Sequence, residues 1–264
     1  MARVVPSISS EEVRFDIPET ARFGLVALAT DLTSERDLYR QMQGRDVAIH
    51  VSRLAFENPT TPDNLQLMAP RLVMAAGLLA PVSPLKAVCY SCTAATVVIG
   101  DHEVRNSIQK ELPGIPVVTP TAAAIRAFEA LDVRRIAVLT PYTIATSQPM
   151  ADFFTSEGLD VVNFDCLGVE DDRDMARISR QTIINAAVAS DRKDAQALFI
   201  SCTALPALDS IVEIEDRIGK PVVTSNQAAS WLLTRLGGLS DHRPAEFGKL
   251  YSFDLASEKV RDIA

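Results

Sequence analysis

The chain has 264 residues, 47% of them hydrophobic and 23% charged, with a formal net charge of −8, a composition ordinary for a globular enzyme. The acidic balance excludes a nucleic-acid surface or an anionic membrane as partner. No apolar run approaches the roughly 20 residues that a bilayer span requires.

Met1 to Arg22 mixes Ser, Glu, Arg and Pro, lacks an apolar h-region and reads as an N-terminal tail, not a secretory signal. The pattern then predicts, in order, strand Phe23–Ala29, helix Ser34–Gln43, strand Val47–Val51, helix Pro62–Leu79, strand Ala87–Tyr90, helix Thr96–Glu111 and strand Val117–Thr119. A second series follows: helix Thr121–Leu131, strand Ile136–Thr140, helix Thr146–Glu157, strand Val161–Phe164, helix Asp174–Ala189, strand Ala197–Ile200, helix Leu205–Ile218, strand Val222–Thr224 and helix Gln227–Leu236. Short apolar strands alternating with longer helices indicate βαβ units and parallel sheets covered on both faces.

Ser-Cys-Thr-Ala occurs at Ser91–Ala94 and again at Ser201–Ala204, each copy ending an apolar run and each followed later by Pro-Val-Val-Thr, at Pro116–Thr119 and Pro221–Thr224. The repeat makes two related halves, and it favours two small open sheets over a (β/α)₈ barrel with the same strand count. The expected partition is an N-terminal tail (1–22), one half formed by 23–119 with 225–264, and the other by 120–224. The chain crosses between halves near Thr119–Thr121 and Thr224–Asn226.

Active sites of open α/β folds lie beyond the carboxyl ends of the strands. Cys92 and Cys202 sit there, each at an expected strand-to-helix turn whose first N–H groups favour a thiolate and bind carboxylate oxygens. Two such thiols across a cleft can take a proton from one face of a carbon and return it to the other. The bland alternative is two small buried hydrophobes, which matching positions in matching repeats argue against. Thr93 and Thr203 are helix caps or substrate donors, Ala94 joins them in the turn, and Asp31 either caps the next helix or brings negative charge to the cleft. Arg53 and Tyr142, after their strands, complete the candidates, Tyr142 as hydroxyl donor or rim aromatic. The C-x-x-C spacing at Cys89–Cys92 has no second ligand pair, so no metal is expected, and Cys89 and Cys166 are expected in the core. Without G-x-G-x-x-G or a P-loop, no nucleotide is expected. Four cysteines in a chain of this length fit a reducing, cytoplasmic setting.

These residues resemble the aspartate/glutamate racemase superfamily, in its branch of maleate isomerases and arylmalonate decarboxylases. The resemblance runs from Phe23 to Gly238. It rests on the two SCTA turns, on Gly24-Leu-Val-Ala with Thr30-Asp-Leu-Thr-Ser-Glu35, on Thr140-Pro-Tyr142 and on Pro221-Val-Val-Thr-Ser-Asn226. Asp31-Leu-Thr-Ser-Glu-Arg-Asp37 is most similar to the ectoine-utilisation proteins of that branch. The resemblance implies two pseudo-symmetric flavodoxin-like domains with the site in the cleft between them. It implies chemistry with no cofactor, on a small carboxylate substrate, in a homo-oligomer. Cys92 and Cys202 take the roles of acid/base or nucleophile, Tyr142 that of carboxylate contact, and Thr93, Thr203 and nearby amides form the anion pocket. Two cysteines favour racemisation or isomerisation over decarboxylation. Asp31 departs from the branch, where maleate isomerases carry Asn, and a second Asn falls near Asp171 or Asp172. Extra negative charge opposes a dianion such as maleate and suits a nitrogen-bearing substrate such as the acetylated diaminobutyrate formed by opening ectoine. A binding protein without catalysis is the reading from a different class.

Overall fold

The computed structural model describes residues 13–15, 20–79, 84–239 and 242–255, so most of the N-terminal tail lies outside the described residues. The first sheet holds β1 (Ala21–Leu28), β2 (Val47–Leu54), β3 (Ala87–Ser91) and β4 (Val117–Val118). The second holds β5 (Arg135–Thr140), β6 (Asp160–Cys166), β7 (Ala197–Ile200) and β8 (Val222–Thr224). Their orders are β2-β1-β3-β4 and β6-β5-β7-β8, every pairing parallel. All eight expected strands are present, in the same arrangement in each half.

The strands form where β-branched and aromatic runs can be buried on both faces. In β3 and β7 every residue is buried. Gly24 in β1 is required by close approach, since a Cβ there would lie 2.9 Å from Leu79 Cδ1. In the second half Phe128, Phe154 and Phe199 pack edge to face, with centroids 5.9 and 5.3 Å apart.

The helices are α1 (Ser34–Met42), α2 (Pro62–Gln66), α3 (Leu72–Gly77), α4 (Thr93–Ile99), α5 (Asp101–Gln109), α6 (Pro120–Ala130), α7 (Ile144–Ser156), α8 (Asp172–Met175), α9 (Arg180–Ser190), α10 (Ile211–Ile218), α11 (Ser225–Leu236) and α12 (Pro244–Phe247). Four expected helices are broken. Pro62–Leu79 divides around Pro70, whose ring removes an N–H from the ladder. Thr96–Glu111 divides at Gly100, whose φ of 97° no helix accepts. Asp174–Ala189 becomes α8 and α9, capped by Asp171 and Ser179. Leu205–Ile218 loses its first turns, because Pro206 disfavours helical backbone at Leu205.

Helix α11 is buried along most of its length. Thr224 and Gln227 form a capping box at its start. The helix packs most extensively on α6 and then on α1, lies over β3 and β4 of the first sheet, and also touches β8. Such an all-round buried helix is a central element, and it brings Ser225 and Asn226 between the two SCTA turns.

Candidate active site

In each sheet the chain switches direction between its first and third strands, and the crevice of an open α/β sheet lies at that switch. Asp31 follows β1 and Cys92 follows β3, while Tyr142 follows β5 and Cys202 follows β7. The two crevices face each other. Thr33 Oγ1 donates to Ala204 O at 2.6 Å, and Thr203 Oγ1 donates to Ser91 O at 3.2 Å, so the turns of opposite halves are bonded directly.

Cys92 is 6% exposed and Cys202 5%. Cys92 caps α4 with extended backbone, φ −157°. Burial pushes its thiol well above the ordinary value, Asp172, Cys202 and Asp31 add to the rise, and the Ala95 N–H opposes it. Cys202 lies instead in a left-handed torsion, φ 95°, which costs a non-glycine residue about 1–3 kcal/mol. Burial, with Asp172, pushes its thiol up to about 12 against hydrogen bonds from Tyr142 and from the N–H groups of Ala204 and Leu205. Three donors on one sulfur and one on the other make Cys202 the easier thiolate. The expected helix after Cys202 begins only at Ile211, but the amides still converge on sulfur.

Tyr142 is buried beside both thiols, and its hydroxyl is pushed well above its ordinary value by burial first and then by the two sulfurs. Asp172, at the start of α8, is 6% exposed and accepts from Thr30 Oγ1 at 2.7 Å across the cleft. Burial raises it to about 6, against the Thr30 hydrogen bond and with the Asp31 charge. Asn58 holds this loop: its Oδ1 accepts from Asp172 N at 3.0 Å and its Nδ2 donates to Asp171 Oδ1 at 3.2 Å. Met175 Sδ lies 3.9 Å from Cys202 Sγ.

The other expected site residues are committed differently. Asp31 is buried, raised by desolvation, and turned into the start of α1. Its Oδ1 accepts from Thr33 N and Ser34 N, each at 2.8 Å, and its Oδ2 accepts from Ser34 Oγ. Ser34 Oγ also meets Ser91 Oγ at 2.6 Å, so Asp31 supports the Cys92 turn through two hydroxyls. Thr93 and Thr203 neither cap helices nor face open space: Thr93 Oγ1 donates to Ser225 Oγ at 2.8 Å, and Thr203 bonds Ser91 as described. Ala94 lies buried in the first turn of α4. Arg53 is not brought into the cleft. Its guanidinium donates to the carbonyls of Leu28 (3.0 Å) and Asp31 (2.9 Å) and pairs with Glu35 on the rim. Cys89 is in the core, whereas Cys166 is half-buried beside a surface groove with Ile144 and Phe164.

Ser225, Asn226 and Asp37 are contacts of these turns that local reading misses. The Ser225 and Asn226 pair was visible as the end of the last Pro-Val-Val-Thr segment, without a role. No group of three or more His, Cys, Asp or Glu suited to a metal occurs among the described residues, and no described helix is long and apolar enough to cross a membrane.

Paired thiols at equivalent turns, in a cleft between two β2-β1-β3-β4 type sheets, define a two-thiol α/β architecture. The family model described as arylmalonate decarboxylase matches residues 101–251, more than half of the chain, and the chain belongs to that family. Arylmalonate decarboxylase of Bordetella bronchiseptica is 34% identical over 145 residues, 54% of this chain and 60% of that relative's length. Maleate isomerase of Nocardia farcinica (strain IFM 10152) is 24% identical over 225 residues, 81% of this chain and 89% of the relative. The solved structure of a Nocardia farcinica maleate cis–trans isomerase mutant with a covalently bound succinylcysteine intermediate superposes with a TM-score of 0.77 at 23% identity, covering 83% of this chain and 93% of that one. The two-sheet fold is therefore shared with those enzymes.

Proposed function

We propose that this protein is a cofactor-independent isomerase of the racemase or epimerase type. Cys92 and Cys202 move a proton across the carbon beside the carboxylate of an amino-acid-like substrate. The observation that carries this reading is the convergence of two thiols, from equivalent turns, on one buried cleft with Tyr142 and Asp172. As thiolate, Cys202 takes the proton of the substrate carbon. The C–H electron pair moves into the carboxylate, and Cys92 S–H delivers a proton to the opposite face. Cys92 is left as thiolate, which poises the enzyme for the reverse direction. Tyr142 steadies charge on Cys202 throughout.

The lining sets the substrate class. Buried Asp172 bears on both thiols, Asp31 adds negative charge near Cys92 from its place at the start of α1, and Arg53 spends its charge on the rim. A substrate bearing an ammonium or amide N–H beside its carboxylate fits this balance. Acetylated diaminobutyrate, from the opening of ectoine, has that chemistry, and the Asp31–Asp37 segment supports a role in ectoine breakdown.

A second reading is maleate cis–trans isomerisation, favoured by the maleate isomerase relatives. One thiolate adds to the double bond and the other thiol protonates the neighbouring carbon. The adduct rotates about its new single bond and eliminates. Arylmalonate decarboxylation is the third, and it needs only one proton donor. Incubation in deuterated water with acetylated diaminobutyrate, maleate and phenylmalonate separates them. The proposal expects deuterium at the carbon beside the carboxylate of the first. Fumarate from maleate, or carbon dioxide from phenylmalonate, in its place overturns it. Binding of the nitrogen-bearing acid without exchange identifies a ligand-binding protein.

A further inference from the structure

Ser225 and Asn226 open α11, yet their side chains serve the Cys202 turn. Ser225 Oγ accepts the Cys202 N–H at 3.1 Å, and Asn226 Nδ2 donates to Thr203 O at 2.9 Å. These two bonds grip the chain on either side of the left-handed torsion at Cys202, a conformation that persists in a non-glycine residue only when its surroundings hold it. The same Asn226 amide nitrogen donates to Asp37 Oδ2 at 3.0 Å. Asp37, in α1, is fully buried, and its Oδ1 makes no hydrogen bond among the described residues, the nearest cation being Arg36 Nη1 at 3.9 Å. A carboxylate and a carbonyl only accept, so both demand the NH₂ end of the amide. A flipped Asn226 would set its oxygen against two acceptors. Gln41 braces the arrangement, donating to Ser230 Oγ at 2.9 Å and to Asp37 O at 3.1 Å while accepting from Tyr251 at 2.8 Å.

We infer that Ser225 and Asn226 are positioning residues for Cys202, and that Asp37 acts through Asn226 by fixing which end of its amide faces Thr203. The torsion they hold aims the Ala204 and Leu205 N–H groups at the Cys202 sulfur. The first SCTA turn has no left-handed torsion to hold, because Cys92 has extended backbone and a helix behind it. The inference rests on the reading of Cys202 as a reacting thiol.

Iodoacetamide labelling at pH 8, resolved by site with mass spectrometry, tests it without a substrate, with Cys92 as internal reference. Asn226→Ala should lower the Cys202-to-Cys92 labelling ratio about tenfold, the effect of a tenfold smaller thiolate fraction. Asp37→Asn should lower it about threefold, since a neutral acceptor orients the amide less firmly than a charged one. Thermal unfolding establishes that each variant is folded. An unchanged or increased ratio in folded Asn226→Ala overturns the inference. If that variant does not fold, Asp37→Asn decides in the same way. Normal turnover by Cys202→Ser would overturn the functional reading while leaving the labelling result to stand, so the two failures are distinct.

Discussion

Replacing Asp172 with Asn should stabilise the protein while impairing its chemistry. Asp172 ionises at about 6 in the folded chain against an ordinary value of 3.8, because burial outweighs the Thr30 hydrogen bond. Below about 4 both folded and unfolded chains hold the proton. Between about 4 and about 6 only the folded chain does, so this group's contribution to stability falls as pH rises through that window and stays low above it. The difference amounts to about 3 kcal/mol at neutral pH. Asn is isosteric, keeps an oxygen for Thr30 Oγ1 and carries no charge to desolvate. Asp172→Asn should therefore gain up to about 3 kcal/mol at pH 7.5, or about 6–12 °C in Tm for a chain of this size. At pH 4 the gain should vanish. Urea unfolding of both proteins at the two pH values measures it. No gain at pH 7.5, or an equal gain at pH 4, would refute burial as the cause of the raised value. The same variant removes a charge that raises both thiols, so both should alkylate faster while use of a nitrogen-bearing substrate weakens.

Cys92→Ser and Cys202→Ser should each lower turnover by several orders of magnitude with Tm little changed, and near-normal turnover in either would remove the two-thiol mechanism. Tyr142→Phe deletes a donor to Cys202 and should slow turnover about 10- to 100-fold, while shifting the acid-side limb of the rate profile, where Cys202 must ionise, upward. Dialysis against a chelator should leave turnover unchanged, and restoration of a lost activity by one metal would count against thiol-only chemistry. Gly248→Ala should cost about 2–3 kcal/mol in urea unfolding, because φ there is +81° and the new Cβ would lie 2.4 Å from Ile211 Cγ2.

Strands were legible because each is an apolar run that only a doubly covered sheet can bury, and Ala197–Ile200 and Val222–Thr224 were read to the residue. Helix interruptions were harder. Gly100 and Pro206 are breakers, yet the apolar periodicity continues across them and conceals the break. The cysteines were legible through the repeat, but not their different backbones. Identical Ser-Cys-Thr-Ala segments adopt φ of −157° and 95° at cysteine, and the distant Ser225 and Asn226 that flank the second torsion cannot be read from either copy. Thr93 and Thr203 look like caps locally, and their partners, Ser225 and Ser91, lie more than a hundred positions away. Asp37 likewise looks like a first-turn acid of α1, and its partner is Asn226 on α11.

The deep burial of both sulfurs has a chemical corollary. Peroxide and other oxidants attack accessible thiolates, and here each thiol is almost wholly covered and held in its protonated form by desolvation. At rest the pair is a poor target for sulfenic acid formation. Inactivation by peroxide should consequently be slow in the folded protein and speed up when urea unfolds it, which alkylation of the surviving thiols measures.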